Sequence, residues 1–157
     1  MDQLLHFAIL AAALGSGLIS GVFFAFSTFI MRALARLEPA EGIAAMQAIN
    51  ITVITPWFIG IFVGLGPLCL TLGGWALLNW GDPRSAFVFA GCVLYLVGTL
   101  LETIVFHIPM NDALAVVKPD DTGAEEHWQR YVTRWTAWNH MRTIAALLAA
   151  AAFTLAY

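Results

Sequence analysis

Apolar residues along this chain come in long runs rather than in alternation. Four runs, near residues 4–35, 56–80, 86–108 and 125–157, each supply the ~20 helical residues that cross a hydrocarbon core, and the last begins with a polar half. The breaks between them are EPAEGIAAMQAIN (38–50), NWGDPRS (79–85) and KPDDTGAEE (118–126). This pattern predicts an all-α fold, an integral membrane antiparallel four-helix bundle. A short interfacial helix follows helix 1, helix 4 is extended, and residues 1–157 form one membrane domain. Pro39 opens the interfacial helix, whose apolar positions are Ile43, Met46 and Ile49. Pro56 starts helix 2 at its first turn, with Trp57 at headgroup level. Asp121 or Thr122 is the expected cap of helix 4, ahead of Glu125 and Glu126. Ala13, Gly17, Gly21 and Ala25 recur every four residues, and Gly60 and Gly64 repeat the device, so these small residues are expected to pack helices closely. The Gly17/Gly21 stripe could also build a homo-oligomer.

Composition agrees with the pattern. Of 157 residues, 61% are hydrophobic and 11% charged, with a mean hydropathy of +0.81. A net charge of −3 with only seven basic residues excludes a nucleic-acid partner and leaves membrane lipid and a hydrophobic small molecule. Cys69 and Cys92 fall inside apolar runs and read as small buried hydrophobes. The first run is too long for a signal-peptide core of ~7–15 residues and has no basic flank, so it is expected to stay as a helix. Arg32, Arg36, Lys118, Arg130, Arg134 and Arg142 follow helices 1 and 3 or open helix 4, against Arg84 alone on the other side. The positive-inside rule then makes those loops cytoplasmic and both termini external, as in a bacterial inner membrane protein.

Polar residues inside the runs carry the chemistry. A charge near the bilayer centre costs roughly 2.5–3.5 kcal/mol on insertion scales, so such groups turn toward a bundle interior or a watery cavity. Glu102 and His107 are the conspicuous pair, but at ~100° per residue they stand about 140° apart and do not share a helical face. Thr103, His107 and Asn111 do share one. On helix 4, Trp128, Tyr131, Trp135, Trp138 and Arg142 follow one stripe, and Thr136, His140 and Thr143 the next. The tryptophans also fit an interfacial belt, and Arg142 a snorkelling cation. With the helices antiparallel, Ser27, Asn50, Glu102, His107, Asn111, Asn139, His140 and Arg142 all fall in the cytoplasmic half. A pocket open to the inner leaflet explains that asymmetry.

FFAFSTFIMRALARL (23–37), AMQAIN (45–50), IPMNDAL (108–114) and WTAWNHMRT (135–143), in this order and spacing, resemble the anthrone-oxygenase-like family of small four-helix membrane proteins. The resemblance spans nearly the whole chain. It implies four membrane helices and, for assigned members, oxygenation of a polycyclic phenolic anthrone by O2 without a required cofactor. Asn is expected in many relatives where this chain has His107, and Glu102 lies outside the family pattern. Carry-over rests on Asn111, Trp138, Asn139, His140 and Arg142. Such a reaction needs a base, an oxyanion partner and a flat apolar slot. His140 or His107 is the candidate base, and Arg142 with Asn139 or Asn111 the oxyanion holder. Trp135, Trp138 and Tyr131 are candidate substrate walls, with Asn50 and Ser27 at the rim. Glu102 is expected to be protonated, or paired with Arg142 or a histidine. A rival reading holds haem b or a metal ion between His107 and His140, with Glu102 or His6 as a further ligand, although no metal-binding spacing is present. A third is a non-catalytic quinone- or lipid-binding scaffold or small transporter.

Overall fold

The computed structural model describes residues 2–118 and 121–157, so the middle of the 118–126 loop, Pro119 and Asp120, lies outside it. Its elements are α1 (Gln3–Leu34), α2 (Pro39–Thr52), α3 (Pro56–Leu78), α4 (Ser85–Ala115) and α5 (Ala124–Ala156). No strand occurs among the described residues. The helices α1, α3 and α4 are long and apolar enough to cross a membrane. The chain is therefore an integral membrane protein built as a helical bundle. In α5 the apolar stretch beyond Thr143 is shorter, because Asn139, His140 and Arg142 interrupt it. It nonetheless packs along both α1 and α4, and α3 closes the ring between them.

Neighbouring helices run antiparallel. Ser20 and Ser27 on α1 meet Thr143 of α5, Gly91 on α4 faces Phe153, and Gly98 faces Ala145. Two apolar clusters form the core. One joins Ile9, Ile19, Phe62, Cys69, Tyr95 and Phe153. The other, at the basic end, joins Met31, Ile43, Met46, Leu114, Trp128 and Trp135. On α1, α4 and α5 the polar positions Ser27, Thr99, Glu102, His107, Asn139 and Arg142 fall between the segments that feed these clusters. A buried polar layer therefore separates two apolar ones.

Local chemistry sets the ends. Thr55 caps α3 by accepting from the Phe58 backbone N–H at 3.2 Å, with Pro56 in the first turn, as N-terminal capping requires. Between α3 and α4, Arg84 bonds both carboxylate oxygens of Asp82, at 2.9 and 2.7 Å, and holds that carboxyl down to about 2. Helix α2 lies on the basic end: Gln47 Nε2 donates to the carbonyls of Leu114 and Val117, both at 2.9 Å, and Gly42 sits under the Trp128 indole. The start of α5 departs from expectation. Neither Asp121 nor Thr122 caps it; Gly123 does, at φ 93°, with no side-chain bond, and glycine adopts that left-handed geometry without a Cβ clash.

Two further expectations change. Gly21, Gly60 and Gly64 have nothing within 4 Å of an added Cβ, and Gly17 has only Ala150 at 3.9 Å. The closest approaches are instead at Gly42, Gly91 and Gly98, where an added Cβ would lie 2.8 Å from Trp128, 2.8 Å from Phe153 and 2.5 Å from Ala145, with Gly15 next at 3.0 Å from Leu65. Four-residue spacing identifies a stripe but not the direction it faces. The third run was also expected to end near 108, at Pro109. It continues to Ala115 because Leu96–Leu101 and Thr103–His107 are π-helical. Pro109 then stands at the start of the α-helical stretch Ile108–Ala115, where the proline's missing N–H interrupts the fewest helical bonds.

Candidate functional site

Arg142 is the centre of the buried layer, with 6% of its surface exposed. Its Nε donates to Asn139 Oδ1 at 2.8 Å and its Nη1 to Thr103 Oγ1 at 3.3 Å. The guanidinium lies over the Phe23 ring at 3.9 Å and the Trp135 ring at 5.1 Å, cation–π contacts that strengthen once water is removed. Nη2 makes no hydrogen bond to the described residues. Asn139 is held in turn: its Nδ2 donates to the Phe23 carbonyl at 2.8 Å and to Ser27 Oγ at 2.7 Å. Thr143 Oγ1, 3.1 Å from Ser27 Oγ, donates to the Asn139 carbonyl at 2.6 Å. This network ties α5 to α1 and fixes the arginine.

Opposite, on α4, His107 Nδ1 lies 3.1 Å from Glu102 Oε2. Both are buried, and the sequence reading that put them on different faces is corrected by the π-helical Thr103–His107 segment. Hydrogen bonding from i to i+5 stacks residues five apart, which an α-helix does not. His107 Nε2 and Glu102 Oε1 are left without hydrogen-bond partners of acceptable geometry. The imidazole stands edge-on to Trp135 at 4.9 Å.

Between these groups is a cavity of about 230 Å³. Thr103, His107, Asn111, Asn50 and Arg142 supply its polar wall. Phe23, Phe26, Phe58, Phe62 and Trp135 supply its aromatic one. At that volume, below the ~300 Å³ where drug-sized ligand pockets begin, it fits a compact ring system. Asn111 Oδ1 accepts from Tyr131 Oη at 2.8 Å and Trp135 Nε1 at 3.0 Å, so Tyr131 braces the wall without lining it.

The candidates therefore divide. His107, Asn111, Arg142, Trp135 and Asn50 share the cavity, with Asn139, Ser27 and Tyr131 behind them. His140 is exposed and lines a separate groove with Arg32, Val132 and Thr136, because it sits one residue beyond Asn139 on the helix and turns outward. It does not face His107, so the two imidazoles are not arranged to hold a haem or metal between them. His6 is at the opposite end, edge-on to Tyr157 at 5.8 Å. Trp138 stacks on Phe106 with ring centres 3.6 Å apart, outside the cavity, in a groove shared with Glu102. Among the described residues no cluster of three or more His, Cys, Asp or Glu could hold a metal ion. Sequence reasoning missed Phe23, Phe58 and Phe62. Their only signal was the density of Phe near the ends of helices 1 and 2, which equally describes lipid-facing positions such as Phe24 and Phe29.

A helical membrane bundle with a polar–aromatic cavity is the class that fold and site define. The anthrone oxygenase family model matches residues 56–152, well over half of the chain, and the chain belongs to that family. No curated protein and no solved structure matches it.

Proposed function

We propose that the chain is a membrane-embedded oxygenase that uses O2 to convert an acidic CH2 of a compact, flat phenolic ring system, of the anthrone type, into a carbonyl. The observation that carries this reading is that His107 and Arg142, both buried, line one aromatic cavity. When Glu102 accepts the Nδ1–H, the imidazole keeps its lone pair on Nε2 and is set as a base. Arg142 Nη2 offers a donor to the oxygen on which enolate charge collects. Phe23, Phe58 and Trp135 flank the rings.

The steps balance as follows. His107 removes one C–H proton, and the electron pair stays on the substrate as an enolate. O2 takes that pair in forming a C–O bond, and the resulting peroxide anion recovers the proton. Loss of the second C–H proton with cleavage of the O–O bond gives the ketone and hydroxide, which takes that proton and leaves as water. This scheme requires no metal or haem, and Arg142 and His107 need only hold charge and move a proton. The positive-inside rule favours the cavity end facing the cytoplasm, with both termini outside.

The test is O2 consumption by purified protein in nanodiscs with anthrone as probe. His107→Ala and Arg142→Ala are each expected to lower turnover by roughly 10²-fold or more. Wild-type uptake no higher than that of empty nanodiscs overturns the reading, as does unchanged turnover in both variants.

A further inference from the structure

The outer side of the α4–α5 seam carries a long groove with two different linings. Its apolar section, about 420 Å³, is lined mainly by Val97, Leu101, Val105, Phe106, Trp138 and Met141, and Val97, Leu101, Val105 and Met141 are exposed. Toward the basic end, the same two helices enclose a depression of about 210 Å³ between Met110 and Ala113 of α4 and His127, Arg130 and Arg134 of α5. Helix α5 is α-helical throughout. His127, Arg130, Arg134, Trp138, Met141 and Ala145 follow offsets of three, four, four, three and four along it, so they form one stripe. The two depressions are therefore successive stretches of one groove, apolar along most of its length and cationic at one end. Among the described residues that line either section, Glu102 alone is acidic, and it is buried against His107.

The two arginines are exposed and available. Arg134 makes no ion pair or hydrogen bond with the described residues. Arg130 pairs with Glu126 at 2.8 Å, but the side chains are 60% and 72% exposed, and such a surface pair is worth little. We infer that the groove holds one anionic phospholipid, its phosphate between Arg130 and Arg134 and one acyl chain along the section of Val105, Trp138 and Met141. Length fits this occupant: at ~1.5 Å per residue, Arg134 to Ala145 spans roughly 16 Å, about half of a ~30 Å hydrocarbon core and so one leaflet. Charge fits as well, because guanidinium groups hold phosphate oxygens in pairs and a basic pocket between membrane helices suits a lipid headgroup. A soluble phosphate would use only the cationic end. A zwitterionic lipid would bring its own cation up to two arginines. The inference concerns lipid binding alone and does not depend on the oxygenation reading.

The experiment is native mass spectrometry of the full chain in a mild detergent, titrated with phosphatidylglycerol or with phosphatidylcholine of the same acyl chains, which resolves the first bound lipid. Phosphatidylglycerol is expected to bind roughly tenfold or more tightly than phosphatidylcholine, and the preference to shrink as salt rises. Arg134→Gln is expected to weaken phosphatidylglycerol roughly fivefold, the usual worth of one basic residue at a lipid surface, and to leave phosphatidylcholine unchanged. Arg36→Gln, at an exposed basic position outside the groove, is expected to stay within twofold of wild type. Val105→Trp, which fills the apolar section, is expected to weaken both lipids. All three positions are exposed, so no buried contact is lost in the variants. Equal binding of the two lipids overturns the inference. Equal losses in Arg36→Gln and Arg134→Gln mark a diffuse attraction to the basic end and overturn it too, and an unaltered Val105→Trp protein means a phosphate site with no place for the acyl chain.

Discussion

His107 Nδ1 and Glu102 Oε2 are 3.1 Å apart across five residues of one helix, a pairing that only the π-helical geometry of Thr103–His107 allows. π-Helical turns inside α-helices occur often at functional sites. Here the turn converts two isolated ionisable groups into a hydrogen-bonded pair at the wall of the cavity. Glu102→Gln keeps the size of the side chain but can donate as well as accept, so it no longer enforces one imidazole tautomer. We expect turnover of anthrone to fall by roughly 10- to 100-fold with KM little changed, read from steady-state O2 uptake. A rise in KM alone, with kcat intact, shows Glu102 to be a binding group and not a positioning residue for His107.

The two histidines that sequence placed on equal terms separate in the structure. His107 lines the cavity and His140 faces outward beside Arg32. His140→Ala is therefore expected to hold turnover within about twofold, while His107→Ala lowers it by roughly 10²–10⁴, the usual worth of a positioned base. Paired kinetic measurements on the two variants decide it, and equal losses in both contradict the cavity assignment.

Asn139 makes the case for a structural role beside the chemical one. It is fully buried and joins Phe23, Ser27, Thr143 and Arg142. Asn139→Ala leaves a buried carbonyl, a hydroxyl and a guanidinium short of a partner, for a cost of about 2–4 kcal/mol. A lowered Tm in detergent together with lost turnover is expected. Ser27→Ala, which removes the contacts with Asn139 Nδ2 and Thr143 Oγ1 but leaves the Asn139–Arg142 bond, is expected to cost about 1–2 kcal/mol and to spare most activity. If Ser27→Ala and Asn139→Ala lower Tm equally, the arginine is not what Asn139 chiefly supports.

Much of the architecture was legible because it depends on features with long sequence signatures. Four apolar runs and their breakers identify the helices, and short loops make neighbours antiparallel. The shared face of Thr103, His107 and Asn111 was equally readable, since all three line the cavity. What escaped depends on rotation. A uniform 100° per residue misplaces Glu102 against His107 once π turns intervene, and it cannot tell that Trp135 turns inward while Trp138, three residues on, stacks outside on Phe106. Similarly, Pro109 signals a helix end only if the bonds it breaks were still α-helical.

The glycines give the most direct check on that rotational argument. Gly98 lets α4 approach α5 so closely that an added Cβ would stand 2.5 Å from the Ala145 Cβ, a distance at which one helix must shift. Its neighbours in the chain, Leu96–Leu101, are the π-helical segment, so a shift there is transmitted toward Glu102. Gly98→Ala is expected to destabilise by about 1–3 kcal/mol, the usual cost of overpacking, and Ala145→Gly in the same chain to restore most of it. Gly60→Ala, with nothing within 4 Å, is expected to be neutral or to stabilise slightly through its higher helix propensity. Thermal unfolding of the three variants and the double variant in one detergent measures all of this. A Gly98→Ala protein as stable as wild type, or a Gly60→Ala protein equally damaged, means that the α4–α5 contact is not the tight one.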